Sequence, residues 1–298
     1  MTETRAQPGR WAPLTGLHRL TAQTGAGNPR VVVGVVDGPV DIGHPDLADA
    51  GMAASAGCRN VRSAACRHGT AVVAMLAARG ESPAPGLCPG CTVLPRPVFC
   101  EAPKGGTCPA LRPAELATAV VDLIEAGARI VNLSLGAEGS GLARSRAVDD
   151  AFDHAQARGV LVVVAAGNHG QVGPAPLMAH PWPVLVAACD QNGRPLPGSN
   201  LGIGIGLRGL LAPGLGIVTA APGGGYQAFS GTSAAAPFVT GTAALLWSTA
   251  PSLPAAVVRA ALLRPGLPRS SVVPPLVDGL AALRALNRLT GRPLPQGP

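Results

Sequence analysis

Hydrophobic positions in this chain fall in short solid runs, separated by polar and glycine-rich breaks. Val31-Val-Val-Gly-Val-Val36 and Val160-Leu-Val-Val-Val-Ala165 are continuous and rich in β-branched residues, the pattern of strands covered on both faces of a parallel sheet. Similar runs predict strands near 92–98, 129–134 and 183–188. Between them, apolar positions recur at helical spacing over 68–78, 113–126 and 142–158, and again over 253–263 and 276–289. The small and apolar run after Gly231, ending at Trp247, predicts another helix, with Pro237 in its first turn. Residues 1–30 are polar, with one short helix expected near Leu14–Leu20. Strands alternating with helices of this length predict an α/β fold, a doubly wound and mainly parallel sheet with helices on both faces. The stretches 198–216 and 222–225 read as glycine-rich loops, and the chain ends in a Pro-rich tail.

Composition bounds the function more than the fold. At 298 residues and 47% hydrophobic, the chain can bury a large core as one domain or split into two. Aromatics are only 3%, so that core is built from Val, Leu, Ile and Ala. The net charge of +7 is carried almost wholly by arginine, Lys104 being the only lysine. Those arginines are scattered, with no basic run and few interleaved aromatics, which leaves nucleic-acid binding unsupported. A mildly basic surface does favour an acidic peptide partner. The N-terminus, Met1-Thr-Glu-Thr-Arg-Ala-Gln-Pro8, lacks the apolar core of a signal peptide. No run is long and helical enough to span a membrane, and the compartment expected by default is the cytoplasm. Six of the seven cysteines lie between residues 58 and 108, which points the other way, to secretion.

Four polar residues stand at element ends. Asp37 closes the first strand, at the carboxyl edge where open α/β sheets place their chemistry; a turn aspartate before Gly38-Pro39 is the ordinary reading. His68 opens a predicted helix, where a structural histidine is the commoner case. Asn168 follows the 160–165 strand. Ser233 stands where a helix begins, its hydroxyl meeting free N–H groups and the positive helix end; a tight helix contact needing small residues is the alternative. Each is ambiguous by itself, yet all four fall on one predicted sheet edge. Together they supply a nucleophile (Ser233), a general base (His68), a carboxylate that orients it (Asp37) and an oxyanion donor (Asn168).

The order Asp…His…Ser and the segments around it resemble the subtilase family of serine peptidases over about residues 28–290. The segments are Val35-Val-Asp37-Gly-Pro-Val-Asp41 with His44-Pro-Asp-Leu47, His68-Gly-Thr70, Asn132-Leu-Ser-Leu-Gly136, Ala165-Ala-Gly-Asn168, Leu211-Ala-Pro-Gly214 and Gly231-Thr-Ser-Ala-Ala-Ala-Pro237. The resemblance implies a subtilisin-like serine endopeptidase. It implies that Ser134, Leu135 and Gly136 form an edge strand pairing with extended substrate, and that Ala165, Ala166 and Gly167 line the pocket for the side chain before the scissile bond. Asp37-Gly-Pro-Val-Asp41, the 86–95 stretch and Ala221-Pro-Gly-Gly-Gly225 look similar to the leader-cleaving subtilases of cyanobactin and related ribosomal-peptide maturation. A precursor-peptide substrate follows from that closer likeness. The expected organisation is an extension over 1–27 too short for a folded pro-domain, a peptidase domain over 28–290 and a tail over 291–298. A general degradative protease is the rival within enzymes, and a catalytically silent peptide-binding subunit the rival outside them.

The sequence departs from the family in three places. Ala71 replaces a second histidine usual after His-Gly-Thr, outside the triad. The loop 79–86 occupies the family's calcium position but offers only Glu81 and Ser82, and Asp46, which resembles one ligand, is a lone carboxylate. Hard cations need several oxygen ligands, so no tight calcium site and no cofactor is expected. The sheet reading also sorts the cysteines. Cys88 and Cys91 precede the 92–98 strand at the far edge, whereas Cys58, Cys66, Cys100 and Cys108 lie on the catalytic side. About eight strand residues at roughly 3.3 Å each separate the groups. Two disulfides among the four catalytic-side cysteines are expected, with a zinc site built from those four as the alternative. Cys189 reads as a buried apolar residue.

Overall fold

A computed structural model describes residues 11–79, 82–101, 108–135, 145–173, 179–263, 269 and 272–291. Six strands form one parallel sheet: β1 (Val32–Asp37), β2 (Thr92–Pro97), β3 (Ile130–Leu133), β4 (Leu161–Ala165), β5 (Val184–Cys189) and β6 (Gly209–Pro213), in the order β2-β1-β3-β4-β5-β6. The register runs Val33 against Val93 on one side and against Ile130 on the other, so all carboxyl ends share one edge. Strand order reverses between β1 and β3, and the crevice outside such a switch point is where open α/β sheets bind ligands. Pro95 and Pro97 sit in β2, the edge strand, where a missing ladder donor costs least.

The helices are α1 (Trp11–Thr15), α2 (Leu17–Thr24), α3 (Ala64–Ala77), α4 (Pro113–Glu125), α5 (Arg146–Ala157), α6 (Ile203–Arg208), α7 (Thr232–Ser248), α8 (Ala255–Leu263) and α9 (Gly279–Thr290). One sheet face is covered by α3 and α7, the other by α4 and α5. Helix α7 is buried along Thr232–Trp247 and apolar all round, as a helix enclosed by sheet and by α2, α3, α8 and α9 must be. Helices α1 and α2, broken at Gly16, replace the single helix expected near Leu14–Leu20; they pack Leu17, Leu20 and the Trp11 ring onto α7 and α9.

Other expectations need correction. The stretch 198–216, read as a glycine-rich loop, contains α6 and β6, and 222–225 is the turn of an unforeseen two-stranded antiparallel hairpin, β7 (Ile217–Ala221) and β8 (Gly225–Phe229). Alternating Ile217-Val-Thr-Ala and Tyr226-Gln-Ala-Phe229 around Pro222-Gly-Gly224 is a hairpin pattern, hidden by the glycine count. Helix α3 starts at Ala64, capped by Ser63, whose Oγ accepts the Cys66 N–H; His68 is therefore its fifth residue and not its start. Pro237 is the sixth residue of α7, past the first turn. The 142–144 part of the helix expected over 142–158 lies outside the described residues, as do Gly136, Glu81, the loop 137–141 and residues 291–298 beyond Gly291.

Two disulfides join catalytic-side cysteines, Cys58–Cys66 and Cys100–Cys108, each with Cα atoms 5.8 Å apart. Cys88, Cys91 and Cys189 are free and buried. The neighbouring Cys91 thiol and burial raise the pKa of Cys88, while the Cys88 thiol lowers that of Cys91 to about 7. Burial pushes Cys189 up to about 12, the behaviour of an inert apolar cysteine.

Candidate active site

Asp37 ends β1, 1% exposed, and its Oδ1 accepts both the Gly38 N–H and His68 Nδ1–H, each at 2.6 Å. Its Oδ2 has no partner among the described residues. His68 comes within reach because α3 passes unusually close to the β1 turn. A Cβ at Gly38 would stand 2.0 Å from Ala65 O, and one at Gly69 would stand 2.3 Å from Gly38 O. The glycines after Asp37 and His68 are thus one contact, and the carboxylate–imidazole pair exists because neither carries a side chain. The His68 ring lies edge-on to Phe229 of β8, centroids 5.2 Å apart.

Ser233 is the second residue of α7, 5% exposed, and its Oγ donates to Ser134 O at 2.9 Å. Its own N–H belongs to the first turn, which has no acceptor within the helix. Pro237 matters here: lacking an N–H, it leaves the Ser233 carbonyl without its usual i+4 donor. Ser134 Oγ takes that place, donating to Ser233 O at 3.2 Å while accepting Asn132 Nδ2–H at 2.8 Å. Asn132 Oδ1 in turn accepts the Thr240 hydroxyl at 2.8 Å. This fully buried relay fixes α7 against the end of β3. The sequence marked Asn132 only as part of a motif and gave no signal for Thr240.

Asn168 follows β4 through Ala165, Ala166 and Gly167, all three buried, while Asn168 itself is exposed. Its Oδ1 accepts the Thr232 N–H at 2.8 Å and the Thr232 hydroxyl at 3.2 Å, and that hydroxyl accepts the Gly167 N–H at 3.1 Å. A backbone N–H can bond only to the amide oxygen, so Thr232 sets which end of the Asn168 carboxamide is the donor. The carboxamide stands against Gly231, at the N-terminus of the helix that carries Ser233. Thr232 had no role in the sequence reading, being the ordinary residue between a glycine and the serine.

Asp37, His68, Asn168 and Ser233 all stand at the carboxyl edge of the sheet, at or beside the switch point. Ser134 and Leu135 stand there too, both buried, directly after β3. Strand β3 itself, ending at Leu133, lies inside the sheet between β1 and β4, and Ser134 and Leu135 continue the chain beyond it.

The described residues at the family's calcium position offer few ligands for that ion. Asp46 Oδ2 accepts hydroxyl donors from Ser82 at 2.5 Å and from Tyr226 at 2.9 Å. A hard cation takes six or more oxygens, and the described part of this loop offers one carboxylate already engaged. The described metal-ligand cluster, Cys58, Cys66 and Glu101, has both sulfurs in a disulfide, which also removes the four-cysteine zinc alternative.

A buried carboxylate on an imidazole, with a serine at a helix N-terminus on the same sheet edge, defines a serine hydrolase of the Asp-His-Ser class. The subtilase family model matches residues 28–271, and the chain belongs to that family. Subtilisin DY from Bacillus licheniformis is 30% identical over 252 residues, 83% of this chain and 87% of that protein. Among solved structures, the prenylagaramide maturation protease PagA superposes with a TM-score of 0.76 at 30% identity, covering 91% of this chain and 98% of that one. The patellamide maturation protease PatA gives 0.73 at 30% identity, covering 90% and 99%. The protein is a subtilisin-like serine endopeptidase acting on peptides. No described helix is long and apolar enough to cross a membrane.

Proposed function

We propose that Asp37, His68, Asn168 and Ser233 carry the chemistry, and that the substrate is a ribosomally made precursor peptide from which the enzyme cuts the leader. The observation that carries the catalytic part is the 2.6 Å contact between Asp37 Oδ1 and His68 Nδ1 on the sheet edge shared with Ser233. The carboxylate holds the Nδ1–H tautomer, leaving Nε2 as the base. Ser233 Oγ gives its proton to Nε2 and attacks the scissile carbonyl. Negative charge moves to the carbonyl oxygen, where Asn168 Nδ2 and the Ser233 N–H donate to it. The imidazolium, stabilised by Asp37, protonates the departing amine; water then releases the acyl group by the same steps in reverse order of roles. The Ser134 carbonyl, occupied by the Ser233 hydroxyl at rest, is freed when that hydroxyl turns to His68. It becomes an acceptor for a substrate N–H, with Leu135 and Gly136 continuing that wall and Ala165, Ala166 and Gly167 lining the adjoining pocket.

The leader-cleaving part is supported by likeness to PagA and PatA, both maturation proteases, and by Asp37-Gly-Pro-Val-Asp41. It implies work in the cytoplasm, where precursors are made. Incubating the enzyme with precursor peptides encoded beside its gene and mapping cuts by mass spectrometry tests it. One dominant cut between leader and core, absent with Ser233→Ala, is expected. Cleavage of unrelated unfolded proteins at many sites and equal rate would favour a degradative enzyme instead.

A further inference from the structure

The turn that carries Asn168 is held from a second loop by one side chain. Asn200, 4% exposed, lies in the loop that follows β5. Its Nδ2 donates to Ala166 O at 3.0 Å, and its Oδ1 accepts the His169 N–H at 3.0 Å and the Gln171 N–H at 3.1 Å. Its backbone N–H donates to Gly167 O at 2.9 Å. All four bonds fall within residues 166–171 and bracket Asn168 on both sides, leaving the Asn168 side chain to Thr232. Adjacent rungs extend the clamp, Gly170 N–H to Gly198 O and Leu201 N–H to Gln171 O, both at 2.8 Å. Ser199 anchors the loop in turn, its Oγ accepting the Ala188 N–H of β5 at 3.0 Å.

Only a carboxamide can make these side-chain bonds. It offers an acceptor with two lone pairs and a donor, in one plane, from a short stem. Aspartate would set a second oxygen against Ala166 O, serine has one oxygen, and glutamine is a methylene too long. The backbone is matched to it: Gly167 has φ +96°, and a Cβ there would stand 2.5 Å from Asn200 Nδ2.

We propose that Asn200 is a positioning residue for the oxyanion site, fixing where Asn168 Nδ2 stands relative to the carbonyl that Ser233 attacks. This rests on the reading of Asn168 as oxyanion donor. Asn200 touches no reacting atom; it acts through the 166–171 backbone. A preorganised donor stabilises charge only where the charge develops, and a misplacement of about 1 Å costs up to about 10²-fold.

The test uses an alkyl fluorophosphonate, which phosphonylates an activated serine without requiring a known peptide substrate. Second-order labelling rates are measured for wild type, Asn168→Ala, Asn200→Ala and the double variant, with melting temperatures alongside. Asn168→Ala is expected to slow labelling by about 10²–10³-fold, the range measured for turnover on subtilisin itself, and Asn200→Ala by about 10- to 100-fold. In the Asn168→Ala background, Asn200→Ala is expected to cost less than about threefold, because the group it positions is gone. A purely structural defect would cost the same in both backgrounds, and that result overturns the assignment of Asn200 while leaving Asn168 in place. A labelling rate for Asn200→Ala within about threefold of wild type overturns it as well. An unchanged rate for Asn168→Ala removes the oxyanion reading and the role of Asn200 with it. Should Asn200→Ala not fold, Asn200→Ser carries the same cycle, since it keeps a short neutral polar side chain but cannot make the three side-chain bonds at once.

Discussion

Gly38 and Gly69 set the geometry of the site more firmly than any charged residue near it. Asp37 and His68 meet because the first turn of α3 lies on the turn after β1, closer than two Cβ atoms allow. The cost of ignoring this is measurable. In Gly69→Ala the new carbon would stand 2.3 Å from Gly38 O and 2.5 Å from Pro39 O, both backbone atoms that cannot rotate aside. A loss of about 3 kcal/mol or more is expected from the denaturant midpoint, at the upper end for overpacking; a loss under about 0.5 kcal/mol would show that the contact is loose. The sequence announced Asp37, His68, Asn168 and Ser233 because each stands in a short motif whose chemistry is recognisable. It did not announce Thr232, Asn132, Thr240 or Asn200. Their roles come from backbone groups far away in sequence, which no local pattern encodes.

At the level of elements, the continuous runs were legible and the punctuated ones were not. Strands β1, β4 and β5 are long, β-branched and buried, so propensity and pattern agree there. Strand β6 starts at Gly209, ends at Pro213 and runs straight into Gly214, and β7–β8 are separated by Pro222-Gly-Gly224. There the turn chemistry outweighed short apolar alternation. The start of α3 was missed because the helical run was counted from His68, although Ser63 before Ala64-Ala-Cys66 is an N-cap signal. That cap belongs to a stapled corner. Glu101 accepts the Arg59 and Asn60 N–H groups and the Ser63 hydroxyl, and Cys58–Cys66 closes the same loop onto the helix. A closed loop of this size is worth about 2–3 kcal/mol in the chain-entropy account. Titrating thiols on protein denatured without reductant should find three per chain, from Cys88, Cys91 and Cys189. Seven would mean that neither disulfide forms, and five that only one does.

Taken as a whole, the molecule gathers its chemistry at one sheet edge and leaves the other to packing. The parallel register aligns every carboxyl end, and strand order reverses between β1 and β3, beside Asp37 and Ser134, where open α/β sheets place their ligands. Helix α7 threads from that edge through the core, so the nucleophile is anchored by a helix buried along Thr232–Trp247. The fold class and the reaction were readable from the sequence because both depend on this alignment. The substrate was not, because peptide choice depends on the loops 137–141 and 169–182, of which 137–141 and 174–178 lie outside the described residues. The central claim is that Ser233 is a nucleophile activated by His68 and Asp37, and a fluorophosphonate tests it without knowledge of the substrate. Peptide mapping of labelled wild type should give one adduct per chain, on Ser233, with none in Ser233→Ala and labelling strongly slowed in His68→Ala. An adduct on another residue, or an unlabelled wild-type protein that is folded, would contradict it.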